Sequence, residues 1–468
     1  MDGWTRIAVP VLGAAAGALL AWLLLRTASG RRRVAMLALV LVVALGAGLG
    51  ALLSLTFGPE GGSGSTFATP VPDAGGRVAA ARVAAATPTR AAAATTPGLP
   101  TPPAAGATPA PAKPPAAQPT GTPATPSPTA GPAPLRFTVA VAASGLEVPW
   151  GLVFAPDGRA FVSERPGRIR VLAGGQLQPA PWAVLPVAHV GEGGLLGLAL
   201  HPQFPAEPYL YAYYTYRAPD GRLLNRVVRL RAEGSRGVAA QTLLDDIPGA
   251  AIHDGGGLAF GPDGKLYVGT GDAAQRSVAP RPDSVAGKVL RINADGSVPA
   301  DNPFVGSPVY SLGHRNVQGF AWDAQGRLYA TEHGPSGEDG RCCRDEVNLI
   351  VPGGNYGWPT HAGIARDPRF RDPVVESGMD TWAPSGAAFW RGSLFVAALR
   401  GVHLRRLAFG PDGQTVVANE ALLLDRYGRL RAVAAGPDGA LWVGTSNRDG
   451  RGRPAPDDDR LLRLVPGS

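Results

Sequence analysis

His253 opens the stretch HDGGGLAFGPDGKLYVGTGD, and Asp272 closes it. The two sit at the loop ends of one hairpin, so they share one rim of whatever sheet that hairpin joins. A loop histidine on its own is as readily structural as chemical, and three further clusters decide the reading. GHRNVQG sets His314, Arg315 and Asn316 at a turn equivalent to that of His253. EHGP, residues 332–335, is followed by DEVNLIVPGGNYGWP from Asp345, and its Gly-Pro and Gly-Gly pairs expose backbone carbonyls that a hard cation can use. Arg400 precedes one later strand, while Arg429 and Arg431 straddle Leu430 on another and therefore point to one face. Several arginines, no matching acidic run and available oxygen ligands suit a small polyanion held together with a divalent metal.

One phrase, recurring six times, positions these residues. It is a small or apolar start, a strand of about four residues, a Pro-Asp-Gly-type corner and an aromatic-rich strand. The copies begin at Gly151, Gly197, Gly257, Gly319, Gly386 and Ala432, roughly 45 to 67 residues apart. Asp-Gly supplies the positive-φ residue of a tight hairpin. A third strand follows each copy: GRIRVL from Gly167, NRVVRLRA from Asn225, GKVLRIN from Gly287, DEVNLIV from Asp345, GVHLRRLAF from Gly401 and RLLRLV from Arg460. No such hairpin buries its own apolar face, so the units must stack, and the expected architecture is an all-β, six-bladed β-propeller over residues 135–468. RFTVAV, from Arg136, is placed to complete the last blade beside RLLRLV and close the ring. The third, fourth and sixth copies carry the chemistry; the first and fifth read as architectural, apart from Arg400.

Ahead of the propeller lie two other regions. Residues 7–25 and 34–57 are apolar and long enough to cross a bilayer as helices, with Arg26, Arg31, Arg32 and Arg33 between them. The positive-inside rule keeps that arginine loop in the cytoplasm and sends everything beyond residue 57 outside. The expectation is a membrane anchor over 1–57 and an extracytoplasmic propeller. A single anchor formed by the second segment alone gives the same final side. Residues 58–134, rich in Ala, Pro and Thr, cannot bury enough surface to fold and read as a disordered linker. Residues 1–134 also hold nine Lys or Arg against three Asp or Glu, +6 of the formal +8. The propeller is thus nearly neutral, and nucleic acid is excluded as a partner.

GEGGLLGLALHPQF, HDGGGLAFGPDGKLYVGTGD, LGHRNVQGFAWD and DEVNLIVPGGNYGWP, in this order, resemble the soluble-type glucose, aldose and sorbosone dehydrogenases that use pyrroloquinoline quinone (PQQ). The likeness spans nearly all of 135–468. It implies oxidation of an aldose-type sugar to its lactone, with hydride passing to the quinone and calcium polarising it. By the same resemblance His253 is the general base and Asp272 the carboxylate that orients or charges it. Arg315, Asn316, Arg429 and Arg431 match cofactor-binding positions, and Gly334 and Pro335 match backbone carbonyls that hold calcium. Glu346 and Tyr356 match the neighbourhood of a second, structural calcium. There are three departures. Glu192 stands where the best-known members carry glutamine, and a carboxylate there would raise the histidine's basicity. Ile252 replaces an acid. Leu399 replaces a cofactor-facing lysine, with Arg400 one residue away as a substitute.

The only cysteines, Cys342 and Cys343, are adjacent in an insertion of the fourth copy. Outside the cytoplasm they close a strained vicinal ring, pair with another chain or stay reduced. Two other functions are open to a propeller with such a rim. A non-catalytic interaction propeller would be expected to lose His253 or the arginines. A calcium-dependent lactonase propeller would need acid and amide side chains converging on the metal.

Overall fold

The structure, a computed structural model, describes residues 135–467 apart from 338 and 339. The two apolar segments and the linker expected over 1–134 lie outside the described residues. Among the described residues, no helix is long and apolar enough to cross a membrane.

Six antiparallel sheets make six blades; the inner strand comes first in sequence in five of them, and in the last it is preceded by the outermost strand alone. Those inner strands are Pro149–Phe154, Leu195–Leu200, Leu258–Phe260, Val317–Trp322, Pro384–Trp390 and Leu430–Ala435. The six third strands expected from the sequence all form. The ring closes as anticipated. Phe137–Ala143 adds outside Leu461–Pro466 as the fourth strand of the last blade, with Phe137 opposite Pro466 and Val141 opposite Leu462. A strand from each end of the propeller in one sheet leaves no open inner edge.

The Asp-Gly corners behave as the phrase requires. In the first copy Gly158 has φ 87° and donates to Ala155 O at 2.9 Å, while the Asp157 carboxylate takes the Arg159 amide at 3.1 Å. The fifth copy uses a two-residue turn instead, Arg391 and Gly392 at φ 48° and 74°, the positive pair that suits the twist of a two-residue hairpin. The small residue that opens each phrase has a different cause. A Cβ on Gly197 would land on the carbonyl oxygen of Gly256, and one on Gly319 on that of Ser385. Neighbouring inner strands approach too closely for a side chain there, and this keeps the central channel narrow. At the axis lies a cavity of about 140 Å³, lined by Gly151, Gly197, Gly319, Gly386 and Ala432 among others.

The core lies between blades rather than at the axis. Phe395, Leu404, Leu430, Leu441 and Leu462 interlock blades five and six, and Tyr211, Tyr213, Leu266 and Leu290 interlock blades two and three. Truncating one such fully buried aromatic, Phe395 for example, would cost about 3–5 kcal/mol.

Candidate active site

His253 lies between the outer strand of blade two, Arg236–Pro248, and the inner strand of blade three. Its backbone is in the left-handed region, φ 61°, and the residue is 8% exposed. Its imidazole Nδ1 is 2.7 Å from Asp272 Oδ1. Gly271 makes this meeting possible, because any Cβ there would strike the carbonyl oxygen of His253. The Asp272 carboxylate is fully occupied: Oδ1 also accepts the Ala274 amide at 2.9 Å, and Oδ2 accepts the indole N–H of Trp358 at 2.8 Å. With all neighbours donating, the network assigns the proton to His253 Nδ1 and leaves Nε2 as the basic nitrogen.

Glu192 meets His253 differently from the sequence expectation. It grips the backbone rather than the ring. Oε2 accepts the His253 amide at 3.1 Å, and Oε1 accepts Arg451 Nη1 at 2.7 Å. Burial pushes this carboxyl up, but His333, Arg451 and the His253 amide outweigh it and hold the group at about 2. Burial drops His333 itself to about 3, so that ring is neutral near pH 7. Arg451 and the amide are therefore what keep Glu192 ionised there.

Cations converge on the same rim. Arg429 pairs with Asp449 at 2.8 Å and donates to Leu399 O at 3.2 Å. Arg431 reaches the same aspartate at 3.9 Å and donates to Gln318 Oε1 at 3.1 Å, with its guanidinium 5.6 Å from the centre of the Trp150 ring. The shared Asp449 agrees with two arginines facing one side of a strand. Burial lowers Arg431 to about 9, a cost Asp449 offsets in part. Arg315 is 3% exposed, donates to His333 O at 3.2 Å and lies 5.4 Å from the Trp358 ring centre. Blade one is not purely architectural as expected. It supplies Arg165, 5% exposed, which donates to Gly191 O at 2.5 Å and contacts His189 at 3.1 Å. Glu192, Arg315, Arg431 and His253 all bear electrostatically on His333, and Arg165 and Glu192 on Arg431, so these residues form one cluster.

Other candidates divide. His314 is fully buried between Ser311 Oγ and Glu332 Oε2, at 2.8 and 2.7 Å, and serves the scaffold. Asn316 uses Oδ1 for the Gly255 amide at 2.9 Å, while its buried Nδ2 has no partner. Arg400 is exposed, its amide bonded to Trp382 O, and it lines a cleft of about 580 Å³ with Arg429 and Arg451; Leu399 is buried. Gly334 donates its amide to Asp345 Oδ1 at 2.8 Å, and a Cβ there would overlap the carbonyl oxygens of Cys343 and Arg344. Glu346 lies opposite Glu332 on adjacent strands, and burial together with that neighbour pushes it up to about 8. The Tyr356 hydroxyl is engaged by Leu349 O and the Val351 amide, at 2.6 and 3.0 Å, and does not meet Glu346. Among the described residues no group of three or more His, Cys, Asp or Glu could hold a metal. Cys342 and Cys343 form the vicinal disulfide, the first of the three states left open by the sequence.

The cluster fits a flat polyanion. Arg165 Nε, Asn316 Nδ2 and His333 Nε2 are buried without partners, polar atoms that a ligand rich in carboxylate and carbonyl oxygens would satisfy. Sequence reading missed Arg165, His333, Trp358, Asp449 and Arg451. Of these, His333 and Trp358 lay inside quoted motifs, EHGP and NYGWP.

The glucose/sorbosone dehydrogenase family model matches residues 146–463. The aldose sugar dehydrogenase YliI of Escherichia coli is 31% identical over 351 residues, covering 68% of this chain and 92% of that one. Among solved structures, a putative oxidoreductase (glucose dehydrogenase) of Thermus thermophilus matches with TM-score 0.67 and 52% identity, over 70% of this chain and all of that one. The PQQ-bound aldose sugar dehydrogenase of Streptomyces coelicolor matches with TM-score 0.65 and 41% identity, over 71% and 99%. The six-bladed fold, the paired His253 and Asp272 and these matches lead to one assignment: the chain belongs to the glucose/sorbosone dehydrogenase family.

Proposed function

We propose that this protein oxidises an aldose-type sugar at the anomeric carbon to the lactone, with PQQ as the resident cofactor and calcium beside it. The observation that carries the reading is the His253–Asp272 pair, 2.7 Å apart, on the rim where buried arginines and unpartnered polar atoms gather. Arg165, Arg315, Arg429, Arg431 and Asn316 would hold the carboxylates and ring oxygens of the quinone, and the Gly334 and Pro335 carbonyls the calcium. When bound, PQQ accepts the hydride of the anomeric C–H, and calcium supplies Lewis acidity. His253 Nε2 takes the proton of the anomeric hydroxyl, and Asp272 stabilises the imidazolium that results. Glu192 fixes the backbone from which the imidazole projects. Loss of one hydride and one proton balances the conversion of lactol to lactone.

Arg400 would serve as an outer contact for the cofactor, and Glu346 and Tyr356 would neighbour a structural calcium. The segments at 7–25 and 34–57 would anchor the chain, with the propeller on the extracytoplasmic side. The test is to add PQQ and calcium to the purified chain and follow dye reduction with a panel of aldoses. Sugar-dependent turnover is expected, lost in His253→Ala while PQQ still titrates; absence of both cofactor binding and turnover would sink the reading.

A further inference from the structure

Asp272 has two carboxylate oxygens with different duties. Oδ1 is shared by His253 Nδ1 and the Ala274 amide, both from the hairpin that carries the base. Oδ2 is held by Trp358 Nε1, which comes from blade four, 86 residues away. Trp358 is 5% exposed, and its own amide is bonded to Gly313 O at 2.9 Å. Two guanidiniums flank its ring, Arg315 at 5.4 Å and Arg341 at 5.2 Å from the centre. Arg341 comes from the insertion that carries the cysteine pair, and its Nη1 donates to Pro359 O at 2.7 Å, beside the tryptophan. The indole therefore cannot turn away from Asp272 without breaking contacts to two separate loops.

A carboxylate on a single-bond torsion rotates freely unless both oxygens are engaged. Rotation here would carry the lone pair of Oδ1 off the axis of the His253 N–H, and with it the orientation of Nε2. We propose that Trp358 is a positioning residue for proton abstraction: its indole N–H locks the Asp272 carboxylate in the plane that aims His253, and the Arg341 loop braces the indole. This rests on the dehydrogenase reading above for its kinetic consequence but not for its structural one. Trp358 reaches His253 only through Asp272.

The test pairs Trp358→Phe, which keeps the ring and removes the donor, with two measurements. In the PQQ- and calcium-loaded protein, kcat for an aldose should fall roughly tenfold to a hundredfold, the effect of removing one hydrogen bond to a charged group. KM should stay within about twofold, because the substrate contacts are unchanged. The acidic limb of the kcat profile, where the base gains its proton, should move to higher pH, since an Asp272 relieved of a donor attracts the imidazolium proton more strongly. In the protein without cofactor, the low-field Nδ1–H proton resonance of His253, identified by its loss in His253→Asn, should shift or broaden in Trp358→Phe. An unchanged resonance with unchanged pH profile overturns the proposal even if kcat falls, because the tryptophan would then act through packing alone. If the wild-type protein oxidises no sugar, the dehydrogenase reading fails, and the resonance still decides whether Trp358 positions the pair.

Discussion

Asp272→Asn is the sharpest probe of the site because every group around that carboxylate is a donor. Oδ1 faces His253 Nδ1 at 2.7 Å and the Ala274 amide at 2.9 Å; Oδ2 faces the Trp358 indole at 2.8 Å. An asparagine has one acceptor oxygen and one NH2 for these three donors. With its oxygen toward His253 and Ala274, the NH2 abuts the indole N–H and one hydrogen bond to a charge is lost, about 1.5–3 kcal/mol. With the amide flipped, its NH2 meets His253 and Ala274, and the imidazole must turn to the tautomer with its proton on Nε2. That tautomer has no lone pair for the sugar hydroxyl. A comparable Asp→Asn exchange in a serine-protease His–Asp pair lowers kcat by about 10⁴ through the wrong tautomer. Partial retention of the first orientation makes a loss of roughly 10²–10⁴ the expectation here. The assay is dye-linked turnover at saturating aldose with PQQ and calcium present, alongside PQQ titration to show that the cofactor still binds. A variant within about threefold of wild type from roughly pH 6 to 9 would refute the assignment of His253 and Asp272 as base and partner.

Two further outcomes follow from neighbours of the site. Asp254, 2% exposed, is pushed up to about 6 by burial, well above the ordinary range of an aspartate, and its Oδ2 has no partner. An acid raised in the folded state favours the protonated form, so its effect on stability is best below about pH 4 and worsens through pH 6, by on the order of 3 kcal/mol for a shift of about two units. Asp254→Asn should flatten the fall in urea midpoint between those pH values, and an unchanged slope would count against a buried, perturbed carboxyl. Gly334→Ala places a methyl against the backbone oxygens of Cys343 and Arg344. Neither is the end of a flexible side chain, so the 334–335 segment has to shift, at a cost of about 1–3 kcal/mol. Calcium-dependent activity should drop more than thermal stability does, measured as the calcium concentration for half-maximal turnover against Tm; equal affinity for calcium would remove Gly334 from the metal site.

The architecture was legible because it repeats. Six starts with a small residue, six corners and six third strands left little choice but a ring, and the apolar alternation of RFTVAV foretold the closing strand opposite Leu461–Pro466. The first small residue of each phrase carried a meaning that spacing did not disclose: neighbouring strands pass too close for a Cβ at Gly197 and Gly319. Direct contacts were legible only where the members share a hairpin or a strand, as His253 and Asp272 or Arg429 and Arg431 do. Partners recruited across blades left no local trace. Arg165 sits in a copy with no cluster of its own, Asp449 follows the sixth copy at the turn, and Trp358 reads as part of a Gly-rich loop.

Those unread partners are what turn a scaffold into a site. Glu192 illustrates the difference. Its identity as an acid in place of glutamine suggested a change in the basicity of the imidazole, yet the ring is not what it touches. Its charge is taken up by Arg451, and its other oxygen holds the His253 amide at a backbone angle, φ 61°, that an L-residue seldom adopts unaided. The carboxylate is thus better understood as a brace for that conformation, while Asp272 and Trp358 set the ring. Two acids beside one histidine divide the work, one fixing where the imidazole stands and the other where it points.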